Sequence, residues 1–348
     1  MPSTRLSAEL GIEHPILSVG FGSGAGPELA AAVSNAGGLG VVGATGLPLD
    51  PLRTLIRRTR ELTDRPFGAN LILDTMGDPE REALNRRRYE ALVEERVPLL
   101  VYFEGDPTGL VDDAHAAGLK VAIQVGSPAE ACRAAEAGVD IVIAQGLEAG
   151  GHIAATASLF VNLPTIVDAV APLPVLASGG IADGRGLAAA LMLGAEGASL
   201  GTRFVASDEA YVRDEWKRRV VAAAAEDTFY SDDLFDVWWP GVPHRTLRAR
   251  VLADWDAAGR PAPGERPHEG EPIGVYHSVL RGGPVDVPRY ASFMMTPLFE
   301  GDVELGPLWA GESAALVDEI LPAGEIVRRI AAQADDVLAA RVASGAAR

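Results

Sequence analysis

Four segments in the first 205 residues repeat one local grammar: NAGGLGVVG, HAAGLKVAIQV, AEAGVDIVIAQ and LGAEGASLG each run from an alanine-rich stretch through glycine into a short apolar run. Glycine stops a helix because it alone enters the left-handed turn at little cost, and a short loop then feeds a strand buried on both faces. Eight such runs can be counted, at Ile16 to Val19, Leu39 to Val42, Phe67 to Leu71, Leu99 to Phe103, Val121 to Val125, Ile141 to Ala144, Pro174 to Ala177 and Ala198 to Leu200. Helical segments alternate with them, and Asp50-Pro51, Ser127-Pro128 and Asp183 read as helix starts. Eight strand–helix units in this length predict an α/β fold of the (β/α)8 barrel type over residues 1–206.

Beyond Ser207 the pattern changes. A long amphipathic helix is expected over about 208–225, followed by DTFYSDDLFDVWWPGVPHRTLRARVL and a Pro/Gly/Glu-rich stretch, AAGRPAPGERPHEGEP, that reads as an exposed loop. Residues 207–290 are therefore expected to form a mainly helical subdomain or lid near the barrel mouth. Residues 291–348 are expected to form a C-terminal segment whose helix, near 324–343, packs back on the barrel. The segment 74–96 lengthens the loop after the third strand.

The charge balance narrows the partners. A net charge of −18 over 348 residues repels nucleic acid and anionic membrane surfaces, which leaves small molecules as the expected ligands. The N-terminus lacks the apolar core of a secretion signal, no window approaches a membrane span, and the single Cys132, read as a buried inert thiol, permits no internal disulfide. A cytoplasmic protein is expected, of open oligomeric state.

A (β/α)8 barrel carries its chemistry at the C-terminal ends of its strands. After the seventh run the chain reads SGGIADG and after the eighth GTRF, so N–H groups of Ser178, Gly179, Gly180, Gly201 and Thr202 can converge on a phosphate. Two glycine loops at these two places favour an anion site over tight turns alone. Asn70, Gln124 and Gln145 put uncharged amides at other strand ends, a set suited to a planar heterocycle rather than a metal, for which only Glu104 and Asp106 offer carboxylates. The two lysines, Lys120 and Lys217, sit away from where a Schiff base would need them.

The loop SVGFGSGAGPE after the first run fits G-x-G-x-x-G/A through Gly20, Gly22 and Ala25, but the second run ends without the acid that would hold a ribose. Gly20 and Phe21 are read instead as a loop passing close to a flat ligand, with a plain tight turn as the equal alternative. His152, one of six histidines, follows Gly150 and Gly151 beyond the sixth run, where it can act as proton acceptor or anion partner. Tyr102 and Phe103 end the fourth run and are expected to face the pocket. Trp238, Trp239, Phe229 and Tyr230 suit the core of the C-terminal region better than the mouth. Met294 and Met295 suit ordinary core, with Met294 the candidate for an adaptable pocket wall.

Taken together, ELAAAVSNAGGLGVVGA, PFGANL, AQGLEAGGH, VLASGGIADGRGLAAALMLGAEGASLGTRF and, more loosely, DTFYSDDLFD and GPLWAGES resemble the nitronate monooxygenase family, also called 2-nitropropane dioxygenases. The resemblance implies FMN across the barrel mouth, its phosphate held at Gly179, Gly180, Gly201 and Thr202. It further implies flavin contacts from Asn70, Gln124 and Gln145, Gly150 and Gly151 against the cofactor, and His152 as the catalytic histidine. The implied reaction is oxidation of alkyl nitronates with O2 to a carbonyl compound and nitrite. Family members often carry QAPM after the first strand, HRG at the histidine and serine near the end of the fourth strand; here the chain has SVGFG, HIA and Tyr102. Those departures bear on the pocket more than on the FMN frame. They leave NAD(P)H-dependent FMN reduction of a quinone or enoyl thioester as the alternative, and a flavin-free phosphate-binding barrel as a third reading.

Overall fold

All eight predicted apolar runs form strands in the computed structural model, which describes residues 4–74, 76–278 and 283–346. They are β1 (Ile16–Ser18), β2 (Gly40–Gly43), β3 (Phe67–Ile72), β4 (Leu99–Phe103), β5 (Lys120–Val125), β6 (Ile141–Gln145), β8 (Val175–Ser178) and β9 (Gly197–Leu200), with a two-residue strand β7 (Gly151–His152) between the sixth and seventh of them. The eight pair in parallel in the order β1-β9-β8-β6-β5-β4-β3-β2, and a parallel bridge between Leu17 and Leu39 closes the ring. This is the expected (β/α)8 barrel, and it sets aside the doubly wound alternative for Gly20 and Gly22.

Alternation along each strand divides the core in two. Leu17, Leu39, Val41, Leu99, Val101, Ala122, Ile141, Ile143 and Leu176 form one buried cluster with Leu6, Leu10 and Ile12. These strand residues fill the barrel, and helix α1 (Arg5–Leu10), tied by Thr4 Oγ1 to the Glu196 carbonyl just before β9, plugs the end where the strands begin. The intervening residues, among them Ala69, Leu71, Leu100, Tyr102, Ile123, Val142 and Ala177, belong to the second cluster, between the strands and the helices around them. The inward side chains one step further along, Asn70, Gln124, Gln145 and Ser178, therefore ring the open end above an apolar plug.

The surrounding helices are α2 (Pro27–Asn35), α3 (Leu49–Leu62), α4 (Pro79–Glu94), α5 (Val111–Ala116), α6 (Pro128–Glu136), α7 (Leu159–Val170), α8 (Gly184–Met192) and the short α9 (Thr202–Val205). Ser127 and Asp183 cap α6 and α8 through their side chains, as read from the sequence. Asp50 does not cap α3, which begins one residue earlier with Pro48 at the cap and Asp50 inside the first turn. Cys132 is exposed rather than buried, because α6 turns Ala131 and Ala134 inward and leaves position 132 off that stripe.

The region after Ser207 departs from the expected helical subdomain. It contains α10 (Asp214–Val221), β10 (Thr228–Ser231), β11 (His244–Leu247), α11 (Arg250–Ala257), β12 (Pro272–Ser278) and β13 (Gly283–Pro288), so strands outnumber helices. The expected helix over 208–225 shrinks to eight residues, since Ser207 and Asp208 are tied instead to the chain near Leu321. Strand β14 (Phe299–Gly301) adds to β12, and α12 (Ala323–Ala346) packs along α8 and α2. Among the described residues no helix is long and apolar enough to cross a membrane.

Candidate active site

The open end of the barrel leads into a cavity of about 490 Å³. Among the described residues no aspartate, glutamate, lysine or arginine lines it. An anion bound here would be held by hydrogen-bond donors and dipoles rather than by a side-chain cation.

His152 stands on the wall at the end of β7. That strand exists because β11 pairs with it antiparallel, setting His244 opposite His152 and Arg245 opposite Gly151, and Ile153 N–H extends the attachment to the Pro243 carbonyl at 2.8 Å. The imidazole lies between two indoles, with ring centroids 4.1 Å from Trp239 and 5.2 Å from Trp309, and its Nε2 is 3.3 Å from Ser292 Oγ. Burial pushes its pKa down to about 3, and the neighbouring His244 adds to the shift. The ring is therefore neutral at neutral pH.

His244 is fixed in one tautomer. Phe235 N–H donates to its Nε2 at 3.2 Å, so Nδ1 carries the proton and donates to the Val242 carbonyl at 2.9 Å. Burial lowers its pKa, opposed by that carbonyl and by Asp233, Asp232 and Asp236.

The amide ring is present, but its members differ in what they have free. Gln145 donates through Nε2 to the His152 carbonyl at 3.0 Å and accepts through Oε1 from Ala154 N–H at 2.8 Å. One N–H and one lone pair of its amide thus hold the histidine loop in place. Asn70 donates to the Val101 carbonyl at 3.4 Å and lies 3.5 Å from Thr45 Oγ1. Gln124 Oε1 accepts from Ser178 Oγ at 3.4 Å, and its Nε2 has no protein partner among the described residues. Asn70, Gln124, Gln145 and Ser178 all reach the cavity wall.

The glycines sort by what surrounds them. Gly179, Gly201 and Thr202 line the cavity, whereas Gly180 turns from it and would set a Cβ 2.9 Å from Glu148 Cγ. The N–H groups of Gly179, Gly201 and Thr202 donate to no protein acceptor among the described residues, while the Thr202 hydroxyl accepts from Gly311 N–H at 2.9 Å. Gly150 borders the cavity, but its lack of a side chain serves packing, since a Cβ would fall 2.3 Å from Gly311 N. Gly151, at φ +71°, needs glycine for its conformation alone. Gly20 likewise lines the cavity and is pressed against Asn70 Cβ and Val42 O, so the close approach read from its sequence is to β2 and β3.

Phe21 and Met294 line the cavity as expected. Tyr102 borders it, but its side chain belongs to the outward face of β4: it is 0% exposed, its hydroxyl has no hydrogen-bond partner among the described residues, and burial near Tyr89 pushes its pKa upward. The inward residues of that strand end are Val101 and Phe103, one position either side. Glu104, pushed up to about 7 by burial and by Asp74 and Glu130, is off the wall, as is Asp106; among the described residues no three potential metal ligands converge.

Sequence reasoning placed Trp239 in a separate core and passed over Trp309, Ser292 and Tyr276, all of which line the cavity. Trp309 lies in the GPLWAGES motif, the one available signal. Trp238, by contrast, is exposed.

A family model described as nitronate monooxygenase matches residues 3–333. The nitronate monooxygenase of Pseudomonas aeruginosa is 32% identical over 367 aligned positions, covering 94% of this chain and 97% of that protein. A (3aS,4S,5R,7aS)-5-hydroxy-7a-methyl-1-oxo-octahydro-1H-indene-4-carboxyl-CoA dehydrogenase of Rhodococcus jostii is 36% identical over 256 residues, covering 74% of this chain and 69% of that protein. The solved structure of FabK from Thermotoga maritima is similar over 99% of this chain and 100% of that one, with a TM-score of 0.77 and 33% identity.

Proposed function

This chain belongs to the nitronate monooxygenase family of oxidoreductases, and on that premise we propose that it oxidises alkyl nitronates with O2 to a carbonyl compound and nitrite, using FMN. The observation that carries the reading is His152, a neutral imidazole on the wall of a cavity lined by no charged side chain among the described residues. The cavity's donors fit the cofactor: the free N–H groups of Gly179, Gly201 and Thr202 suit its phosphate, and the free Nε2 of Gln124 suits a ring edge. Bound there, FMN would supply the electron chemistry.

His152 has two possible tasks, and its environment favours one state for both. As a neutral base it takes the α-proton of a nitroalkane onto a ring nitrogen; burial opposes the resulting imidazolium, and the nitronate formed beside it supplies the compensating charge. Toward a nitronate already formed, the neutral ring offers a hydrogen bond from N–H. Trp239 and Trp309 shield the ring from water, and Gln145 fixes the backbone that presents it. In this reading residues 1–206 are the cofactor-binding barrel, 207–290 cover its mouth, and 291–348 return along the barrel, in a cytoplasmic setting.

The 36% identity to a carboxyl-CoA dehydrogenase favours a second reading, an NAD(P)H-linked FMN oxidoreductase acting on a thioester or quinone. Purified protein is expected to absorb near about 370 and 450 nm and to release FMN on denaturation; neither occurring would overturn both. Anaerobic mixing separates them: bleaching by propyl nitronate and not by NADH or NADPH supports the monooxygenase, and the opposite pattern supports the reductase.

A further inference from the structure

A second chamber of about 140 Å³ adjoins the first. Ser23, Tyr276, Phe293 and Met294 line both, so they form the partition between them. Phe293 is anchored, its carbonyl accepting from Trp309 Nε1 at 3.0 Å and its ring centroid 5.1 Å from that of Phe299. Met294 is an unbranched thioether able to change rotamer at small cost. Beyond the partition the walls are Val285 and Val287 of β13, Ser278 of β12, and Trp238 at the exposed rim. The Tyr276 hydroxyl is engaged by Thr296 Oγ1 at 2.8 Å. Among the described residues no charged side chain lines this chamber.

We propose that the second chamber is a subsite for the alkyl tail of the substrate, whose reacting end lies at His152. This assigns the enzyme to substrates bearing a chain of several carbons rather than to compact nitroalkanes, and it rests on the reading of the His152 cavity as the reaction site. At about 30 Å³ for each water-sized group, the chamber has room for roughly four or five methylenes. A charged terminus would be desolvated there without a counter-charge, so the tail is apolar to its end. The β12–β13 hairpin, an addition to the barrel, thereby sets chain-length preference.

Calorimetric titration of the FMN-saturated full chain with 1-alkanols of four to ten carbons tests the subsite without relying on turnover. Affinity is expected to rise about fourfold per methylene and then level off as the chamber fills. Val285→Phe, at a half-buried position, should flatten that rise, and Trp238→Ala, at the rim, should move the plateau to longer chains. In parallel, kcat/KM for octyl relative to ethyl nitronate should fall in Val285→Phe. Equal slopes in wild type and both folded variants, or no rise in wild type, would overturn the subsite. A rise that Val285→Phe flattens, in a protein that oxidises no nitronate, would sustain the subsite and overturn the nitronate reading instead.

Discussion

His152 and His244 face each other across the antiparallel pair of β7 and β11, with ring centroids 6.2 Å apart. His244 is fully buried and His152 half-buried at the cavity wall, and both are held below the ordinary histidine range. For His152 the folded-state value of about 3 lies below the unfolded value near 6.5. Between those limits the unfolded chain binds the proton that the folded chain refuses, so stability rises with pH there and is lost as pH falls from about 6.5 toward about 3. His244 acts in the same direction. Chemical denaturation at pH 7 and pH 5 should show a drop in stability on the order of 1–3 kcal/mol, and His152→Gln should show a smaller one. An equal drop in that variant would mean that His152 is not the group refusing the proton.

His152→Ala removes the group proposed to handle the substrate proton. Turnover of nitroalkanes is expected to fall on the order of a hundredfold or more, while bound flavin, measured by absorbance, is retained because the backbone donors are untouched. Full turnover with intact flavin would take the histidine out of the mechanism.

Gln145→Leu leaves the His152 carbonyl and the Ala154 N–H without their partner. Two unsatisfied groups in a partly buried loop should cost about 2 kcal/mol of stability in a urea titration. The functional signature is a fall in kcat with flavin affinity little changed, since the amide already has protein partners at both ends. A large loss of flavin affinity would instead assign the remaining donor and acceptor of this amide to the cofactor.

Glycine substitutions separate packing from cofactor contact. Gly150→Ala drives a Cβ to 2.3 Å from Gly311 N, and backbone there cannot yield cheaply, so a loss of more than about 2 kcal/mol is expected. Gly201→Ala places its Cβ no nearer than 3.8 Å to Val19 Cγ2, at a negative φ, and should leave stability within about 0.5 kcal/mol. Thermal melts of the two variants decide it.

The barrel was legible because each of its eight strands is a short apolar run bounded by residues that end or begin helices. The site was legible only at the level of which loops meet. That Gln145 would bind the backbone seven residues ahead depends on strand β7, which pairing with β11, about ninety residues further along the chain, creates. Whether Trp239 packed in a core or stood against the imidazole depended on the same pairing. The β12–β13 hairpin hid behind its glycines and prolines, although IGVYHS and PVDVP carry the β-branched and aromatic residues of strands.

Tyr102 shows how one residue of register reverses an assignment. Its neighbours Val101 and Phe103 point to the barrel side, so the tyrosine points to the helices, where its hydroxyl is buried and has no partner among the described residues. Burying that hydroxyl without a partner costs the folded state, and removing it leaves the ring packing intact. Tyr102→Phe should therefore raise stability by about 1 kcal/mol, read as a higher urea midpoint at unchanged slope. Because the side chain does not face the substrate, kcat and KM should be unaltered. A changed KM with unchanged stability would instead place the ring in the pocket, as the serine that relatives often carry near this strand end suggested.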